Sequence, residues 1–427
     1  MSLYKQPKSP MWWGRYRDAN GVIRRRSTGC RGKDAAASVL TRWKVEVERI
    51  KAGIVSPAEA EAAKHAARPM SEHLADFESI LRAKGTARHA AETVGYCRRV
   101  CDDLGARSPN DLRTADVDRW FAARRAEGMG ACLANHHLRA MKGLGNWMKR
   151  TGRLNGDGPA AALSLFDEDA ERRHIRRALR EEEVPALVRT AALRPLAERG
   201  RERIKVAGNK RSNWTYAPLT PDNLSEAADR ARAKLLPLVV LRLEAEGKAH
   251  AMFYRGALGS GFRAGELSAL RVADFDSNAG TFALDAGAEK ARRGVEGQPL
   301  PPELVADLAA WVAARGARLG DRLFPKRVTV KAFDRDLAAA GIAKHDDRGR
   351  VLDIHALRGT FISWLQKAGA SLKEAQHLAR HSDPKVTGRY TDLTLLNFAG
   401  RVAALPSTRP APAETDVSRP ATGTTPA

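Results

Sequence analysis

The sequence predicts a mainly α-helical chain with small β elements. Three observations lead there. Long stretches of the 427 residues place apolar side chains at helical spacing, as in "MSEHLADFESILRAKG" and "PPELVADLAAWVAARG". Strand-like runs are confined to the first thirty residues and to a short piece over 274–301. Two stretches of biased composition, 54–68 and 166–180, separate the helical blocks and read as linkers.

Charge bounds the partners before any motif is considered. The chain carries 73 Lys and Arg against 50 Asp and Glu, a formal net charge of +23. Such an excess points to a polyanion, most commonly nucleic acid. No apolar run approaches the ~18 residues of a membrane span. The opening "MSLYKQPKSPMWWGRYR" has no apolar signal core, and neither end carries a lipidation signal. The four cysteines form no CxxC pair, and Cys97 and Cys101 share a helical face, which suits a core. The expectation is a reduced, cytoplasmic, nucleoid-associated protein with no membrane contact and no metal.

Residues 1–53 read as a β-hairpin plus helix. "MWWGRYRD" and "VIRRRSTG" flank a turn with Asn20-Gly21 at its tip, and "KDAAASVLTRWKVEVERIKAG" is a helix closed by Gly53. Arg15 and Arg17 share one face of the first strand, and Arg24 and Arg26 one face of the second. A basic ribbon of this kind fits a DNA groove; the alternative is a solvated hairpin. Residues 70–165 read as four short amphipathic helices forming a basic bundle. Adjacent His136 and His137 point in different directions and make no metal pair. Residues 171–400 read as the next domain, in which a second helical start follows at "EEEVPALVRTA". Its segment 194–234 lacks steady periodicity and reads as an insertion or loop, partly disordered. "LPLVVLRLEAEGKAHAMFYRGALGSG" returns to core-like helix, and 274–301 gives two strands around a Lys/Arg-rich turn. The Pro/Thr/Ala-rich tail, 406–427, is expected to be disordered.

One tyrosine sits where a core tyrosine does not belong. Tyr390 follows His381 by nine residues in a polar stretch broken by Pro384 and Gly388. A phenol needs help to act as a nucleophile. A phosphodiester under attack needs cations on its non-bridging oxygens, a proton acceptor for the nucleophile and a donor for the leaving oxygen. Arginine suits the first task because its planar fork binds phosphate and stays charged. The chain offers Arg263 in "LGSGFRAGELSAL", with Glu266 three residues on to hold it. It offers His355 and Arg358 on one helical face of "DIHALRGTF", then His381 and Tyr390, and Lys290 in the β turn as a proton donor. Each alone reads as a helix salt bridge or a structural tyrosine. Their order within one domain of a basic chain is specific.

These motifs, "SGFRAGEL", "HALRGTF" and "ARHSDPKVTGRY", resemble the tyrosine recombinase, or phage integrase, family, and the resemblance runs over roughly residues 1–395. The family's first arginine falls on Arg263, its β-hairpin lysine on Lys290, its H-x-x-R box on His355 and Arg358, its second histidine on His381 and its nucleophile on Tyr390. The family's usual Gly-His is Arg380-His381 here. The resemblance implies an arm-binding-like unit, a helical core-binding (SAM-like) domain and an α+β catalytic domain that clamp duplex DNA. It implies cleavage and rejoining through a 3′-phosphotyrosyl link, with His355 as general base and Lys290 as general acid, and with no cofactor. It further implies double-stranded attachment sites, a homotetramer on two duplexes, and accessory DNA-bending or excision factors. The arm-like unit favours an integrase of a phage or other mobile element. An Xer-like resolvase and a catalytically idle DNA-binding regulator are the alternatives; a site-independent topoisomerase shares the chemistry but needs neither N-terminal unit.

Overall fold

A computed structural model describes residues 2–7, 9–66, 68–205, 214–284 and 295–396. Among these residues the fold is mainly α with three small sheets. The chain divides into two compact units, 1–173 and 174–427.

The first unit opens with an antiparallel sheet of β1 (Ser2–Lys5), β2 (Trp12–Arg17) and β3 (Ile23–Ser27). The hairpin expected from the sequence is β2–β3. Asp18 sets its turn by accepting the Asn20 and Val22 amides, and Gly21 has φ 82°. The third strand, β1, was not expected: "SLYK" is too short to signal a strand and gains its register from β2, Ser2 opposite Arg15 and Lys5 opposite Trp12. One sheet face lies on α1 (Lys33–Lys51). Gly14 permits this approach, since a Cβ there would meet Leu40 and Trp43 at 2.9 Å. After α2 (Pro57–Ala66) comes the bundle of α3 (Met70–Lys84), α4 (Ala87–Asp103), α5 (Thr114–Ala126) and α6 (Ala131–Arg150). Its core holds Leu74, Phe77, Cys97, Cys101, Phe121, Leu138, Met141 and Leu144. Each large apolar side chain there contributes roughly 1.5–3 kcal/mol, whereas surface pairs such as Arg82–Glu78 contribute roughly 0.3–0.5 kcal/mol. Packing therefore holds the bundle, and its surface charges are free to serve other ends. His137 is buried with Nδ1 3.1 Å from the Tyr96 carbonyl, and His136 stacks on Tyr96.

The second unit begins at 174, inside the charged segment 166–180 that reads as a linker. Arg176 bridges to Val351, Leu179 is fully buried, and buried Arg177 pairs with Glu183. Two of the arginines that made this stretch look like a linker are partly interior, Arg176 on Asp353 and Arg177 on Glu183. Next come α7 (Glu183–Ala197), the hairpin β4 (Arg203–Lys205) and β5 (Trp214–Tyr216), α8 (Leu224–Lys234) and α9 (Pro237–Ser260). The expected loop over 194–234 is thus corrected. It contains the end of α7, a hairpin and an eleven-residue helix, α8. Leu224, Ala227, Ala228 and Ala231 form the buried face of α8 against α7 and α9. Further on are α10 (Ala264–Ala269) and a sheet of β6 (Phe275–Asp276), β7 (Thr281–Leu284) and β8 (Val295–Pro299), where the sequence predicts two strands. Then come α11 (Pro302–Ala314), α12 (Val330–Ala339), α13 (Ala356–Lys367), α14 (Leu372–Leu378) and α15 (Pro384–Tyr390). One core, from Leu179 to Leu357, gathers around α9 and includes Phe253, Phe262, Phe282 and Phe324. Inside it, Asp336 accepts from Arg194 and from the Tyr254 hydroxyl at 2.6 Å. The turn bearing Lys290 and the tail 406–427 lie outside the described residues.

Candidate functional site

The sequence brings its motifs together by ending helices where the chain must turn. α9 stops at Gly261, which has φ 65°. A Cβ there would meet the Phe361 ring at 2.3 Å, so glycine is required twice over. The turn buries Phe262 and places Arg263 as the N-cap of α10. Glu266, 3% exposed, grips Arg263 at two points: Oε2 accepts the Arg263 amide at 2.8 Å and Oε1 accepts Nη1 at 2.6 Å. The arginine, not the carboxylate, is the member that reaches toward solvent, its side chain 28% exposed.

Arg358, one turn into α13, is 2% exposed. Its Nη1 donates to the Gly261 carbonyl at 2.6 Å and its Nη2 to the Ala379 carbonyl. Burial, and then the nearby charges of Arg263 and Arg380, push its pKa down to about 9. Three guanidiniums thus crowd around the one carboxylate of Glu266, an uncompensated charge that an anion would relieve.

α14 opens on a capping box of Ser371 and Glu374 and ends before Ala379. Arg380 then takes φ 56°, and the turn delivers His381 inward, 8% exposed. His381 Nδ1 lies 2.9 Å from Thr387 Oγ1, and its ring stacks on Tyr390 with centroids 5.4 Å apart and an interplanar angle of 25°. Burial, then Arg358, Arg263 and Arg380, lower its pKa to about 4. The imidazole is neutral at pH 7 and can donate from only one nitrogen.

Tyr390 is the last residue of α15, which Asp383 caps by accepting the Lys385 amide. Its ring lies near Gly359, where a Cβ would stand 3.5 Å from Tyr390 Cδ1. Ser363 Oγ donates to the Tyr390 carbonyl at 3.2 Å and accepts the Asp392 amide at 2.9 Å. Asp392 in turn holds Arg350 and the Ala178 amide. The phenol is therefore half-buried on a backbone pinned from both sides.

His355 caps α13 and stands open to solvent on one side. Its surroundings still hold its pKa below the ordinary imidazole value. Desolvation by the neighbouring protein leads, Asp353 opposes it, and the cations Arg176, Arg263 and Arg358 add to it. Asp353 orients this corner: it accepts the His355 amide at 2.9 Å while Arg176 and His174 bind its carboxylate.

Arg263, Glu266, Arg358, His381 and Tyr390 thus meet, with His355 at the head of the helix that carries Arg358. The hairpin arginines Arg15, Arg17, Arg24 and Arg26 belong to the first unit. There the register separates them. Arg15 lies opposite Arg25, so Arg15, Arg17 and Arg25 share the face turned from α1. Arg24 and Arg26 share the other face, Arg26 stacked over Trp43 and Arg24 paired with Asp18. The expectation that each pair occupies one face of its strand holds; the contribution of Arg25 was missed. So were Thr387, Asp353, Ser363 and Arg380. Thr387 had a signal, since it precedes Tyr390 by three residues on one helix. Among the described residues no cluster of three or more His, Cys, Asp or Glu side chains gathers to hold a metal, and no described helix is long and apolar enough to cross a membrane.

Comparison with known proteins agrees with this architecture. Residues 238–395 match the Phage integrase family. The tyrosine recombinase XerC of Rhodospirillum centenum is 26% identical over 318 residues, covering 71% of this chain and 76% of the relative. The XerC of Pseudomonas fluorescens is 34% identical over 153 residues, 33% of this chain and 46% of the relative. In fold, the chain is similar to a lambda integrase dimer bound to a COC′ core site, with TM-score 0.51 and 15% identity over 91% of this chain and 94% of that one. A lambda integrase tetramer bound to a Holliday junction gives the same TM-score at 14% identity, with the same shares of each chain covered. The segment 238–395, which holds Arg263, His355, Arg358, His381 and Tyr390, matches the Phage integrase family, and over 71% of its length the chain is similar to a tyrosine recombinase.

Proposed function

We propose that the chain is a site-specific DNA recombinase of a phage or other mobile element, and that Tyr390 is its nucleophile. The observation that carries the reading is the gathering of Arg358, Arg263 and the Tyr390 ring about a neutral His381. Tyr390 Oη attacks the scissile phosphorus and the bond to the 5′-oxygen breaks, leaving a 3′-phosphotyrosyl link and a free 5′-hydroxyl. Arg263 and Arg358 neutralise the charge that grows on the non-bridging oxygens, and His381 donates a hydrogen bond to the same group. His355 takes the phenol proton; its lowered pKa keeps it unprotonated at neutral pH, ready to accept. Lys290 supplies the proton to the leaving oxygen. Attack by a partner strand's 5′-hydroxyl reverses the chemistry, so no external energy source is consumed. Four protomers on two duplexes, assisted by bending or excision factors, exchange strands in pairs.

The three-stranded sheet, with Arg15, Arg17 and Arg25 on its open face, supports a mobile-element integrase with a second DNA contact. The XerC relatives favour an Xer-like resolvase. Covalent capture tests both. Detergent lysis of cells expressing the wild type or Tyr390→Phe, followed by sequencing of protein-linked DNA, is expected to yield 3′-linked adducts only with Tyr390. Adducts at the borders of an integrated element support the integrase, and adducts at one chromosomal locus support the resolvase. Equal, negligible trapping by two proteins that still bind DNA would leave the idle regulator as the better reading.

A further inference from the structure

We propose that Arg380 is a positioning residue for strand cleavage: it completes the cage around Glu266 and so fixes Arg263 against the scissile phosphate. The inference rests on the phosphotyrosyl reading above.

The backbone gives the first reason. Arg380 is the one non-glycine with positive φ among the described residues. At φ 56° a glycine would sit without strain, while an L-residue persists only where its surroundings over-determine it. The family's usual glycine is thus replaced by a residue that the local backbone disfavours.

The side chain supplies what overrides that preference. It turns inward, 11% exposed, with its guanidinium carbon 4.1 Å over the Phe262 ring. Nη2 donates to Glu266 Oε2 at 3.1 Å and Nη1 to Gln298 Oε1 at 2.8 Å, with the Leu378 carbonyl at 3.3 Å. Glu266 then has every lone-pair direction that matters in use. Oε1 holds the Arg263 guanidinium, and Oε2 holds the Arg263 amide and Arg380 together. A carboxylate gripped by Arg263 alone can swing with it. One gripped from two sides, by Arg263 at the start of α10 and by Arg380 in the turn after α14, itself held by Gln298 of β8, cannot. Arg380 also places a third fixed cation beside Arg358 and His381. Its role is to hold the phosphate-binding arginine still, and errors of about 1 Å in such placement can cost on the order of 100-fold in rate.

The test uses full-length protein and a nicked duplex carrying the site recovered by covalent capture, so that cleavage is trapped in a single turnover. Arg380→Gly fits the backbone freely and should fold. It is expected to bind the duplex within about twofold of wild type and to form the covalent adduct 10- to 100-fold more slowly, with Arg380→Lys in between. Two further readouts separate positioning from general damage. On a duplex with a neutral methylphosphonate at the scissile position, the charge held by Arg263 matters less, and the deficit should shrink to about threefold or less. In a Glu266→Gln background, Arg380→Gly should likewise cost about threefold or less, because the two act as a unit. Adduct formation by Arg380→Gly within about twofold of wild type overturns the inference and leaves the phosphotyrosyl reading intact. So does an equal deficit on the charged and neutral substrates. No adduct from wild type on the captured site overturns the reading and the inference with it.

Discussion

Acidification should unfold this protein partly through His381, and the amount can be worked from the site. The ring is 8% exposed, hydrogen-bonded to Thr387 through Nδ1, and faced by Arg358, Arg263 and Arg380 with Glu266 the opposing carboxylate. Its pKa falls from the ordinary 6.5 to about 4 in the folded state. The unfolded chain therefore takes up this proton at a higher pH than the folded one, and protonation favours unfolding. Stability from this group is complete above pH ~6.5 and is lost progressively as pH falls toward 4. With each factor of ten in proton affinity equal to 1.36 kcal/mol, the loss approaches ~3 kcal/mol at pH 4. For a unit of this size ~1 kcal/mol moves the melting temperature by ~2–4 °C, so the expected effect is ~6–12 °C. Thermal melts of wild type and His381→Asn, followed by circular dichroism from pH 8 to 4, measure it. The wild-type melting temperature minus that of the variant should fall by this amount across the range. His73, His137 and His250 are also pushed down by burial, but both proteins share them and they cancel in the difference. A difference that stays constant from pH 8 to 4 refutes the argument, because His381 would then not be held neutral by its surroundings.

Other perturbations reach the remaining parts of the fold. Arg15→Ala, Arg17→Ala and Arg25→Ala should each weaken duplex binding and reduce the slope of log K against log salt by ~0.9. Arg26→Ala, whose guanidinium is engaged with Trp43, should change that slope less; fluorescence anisotropy over a salt series distinguishes them. Gly261→Ala combines an unfavourable φ of 65° with a 2.3 Å collision against Phe361, and should destabilise by at least ~2 kcal/mol in urea melts. Asp336→Ala leaves buried Arg194 with Glu198 but takes away the acceptor of its Nε and of the Tyr254 hydroxyl, which should cost ~1–3 kcal/mol by the same measurement, while leaving Tyr390 in place.

What the sequence reveals and what it hides follow from one physical distinction. The side chains proposed to carry the chemistry, Arg263, His355, Arg358, His381 and Tyr390, are legible because their type, order and spacing are themselves the signal. Helices are legible when large apolar residues mark one face. α8 escaped because its buried stripe is Leu224 followed by three alanines, which add little contrast against a polar background. β1 and β6 escaped because strands of four and two residues have no pattern of their own and exist only through pairing. The segment 166–180 reads as a linker because the carboxylate that pairs with buried Arg177, Glu183, belongs to the next helix. Arg380 is the extreme case: its partners lie 82 and 114 residues away, so nothing local distinguishes it from a solvated arginine. The one local clue was a departure, an arginine where the family keeps glycine. A residue that breaks a local rule must be held there by something distant, and in this chain the distant partner is the carboxylate that grips Arg263.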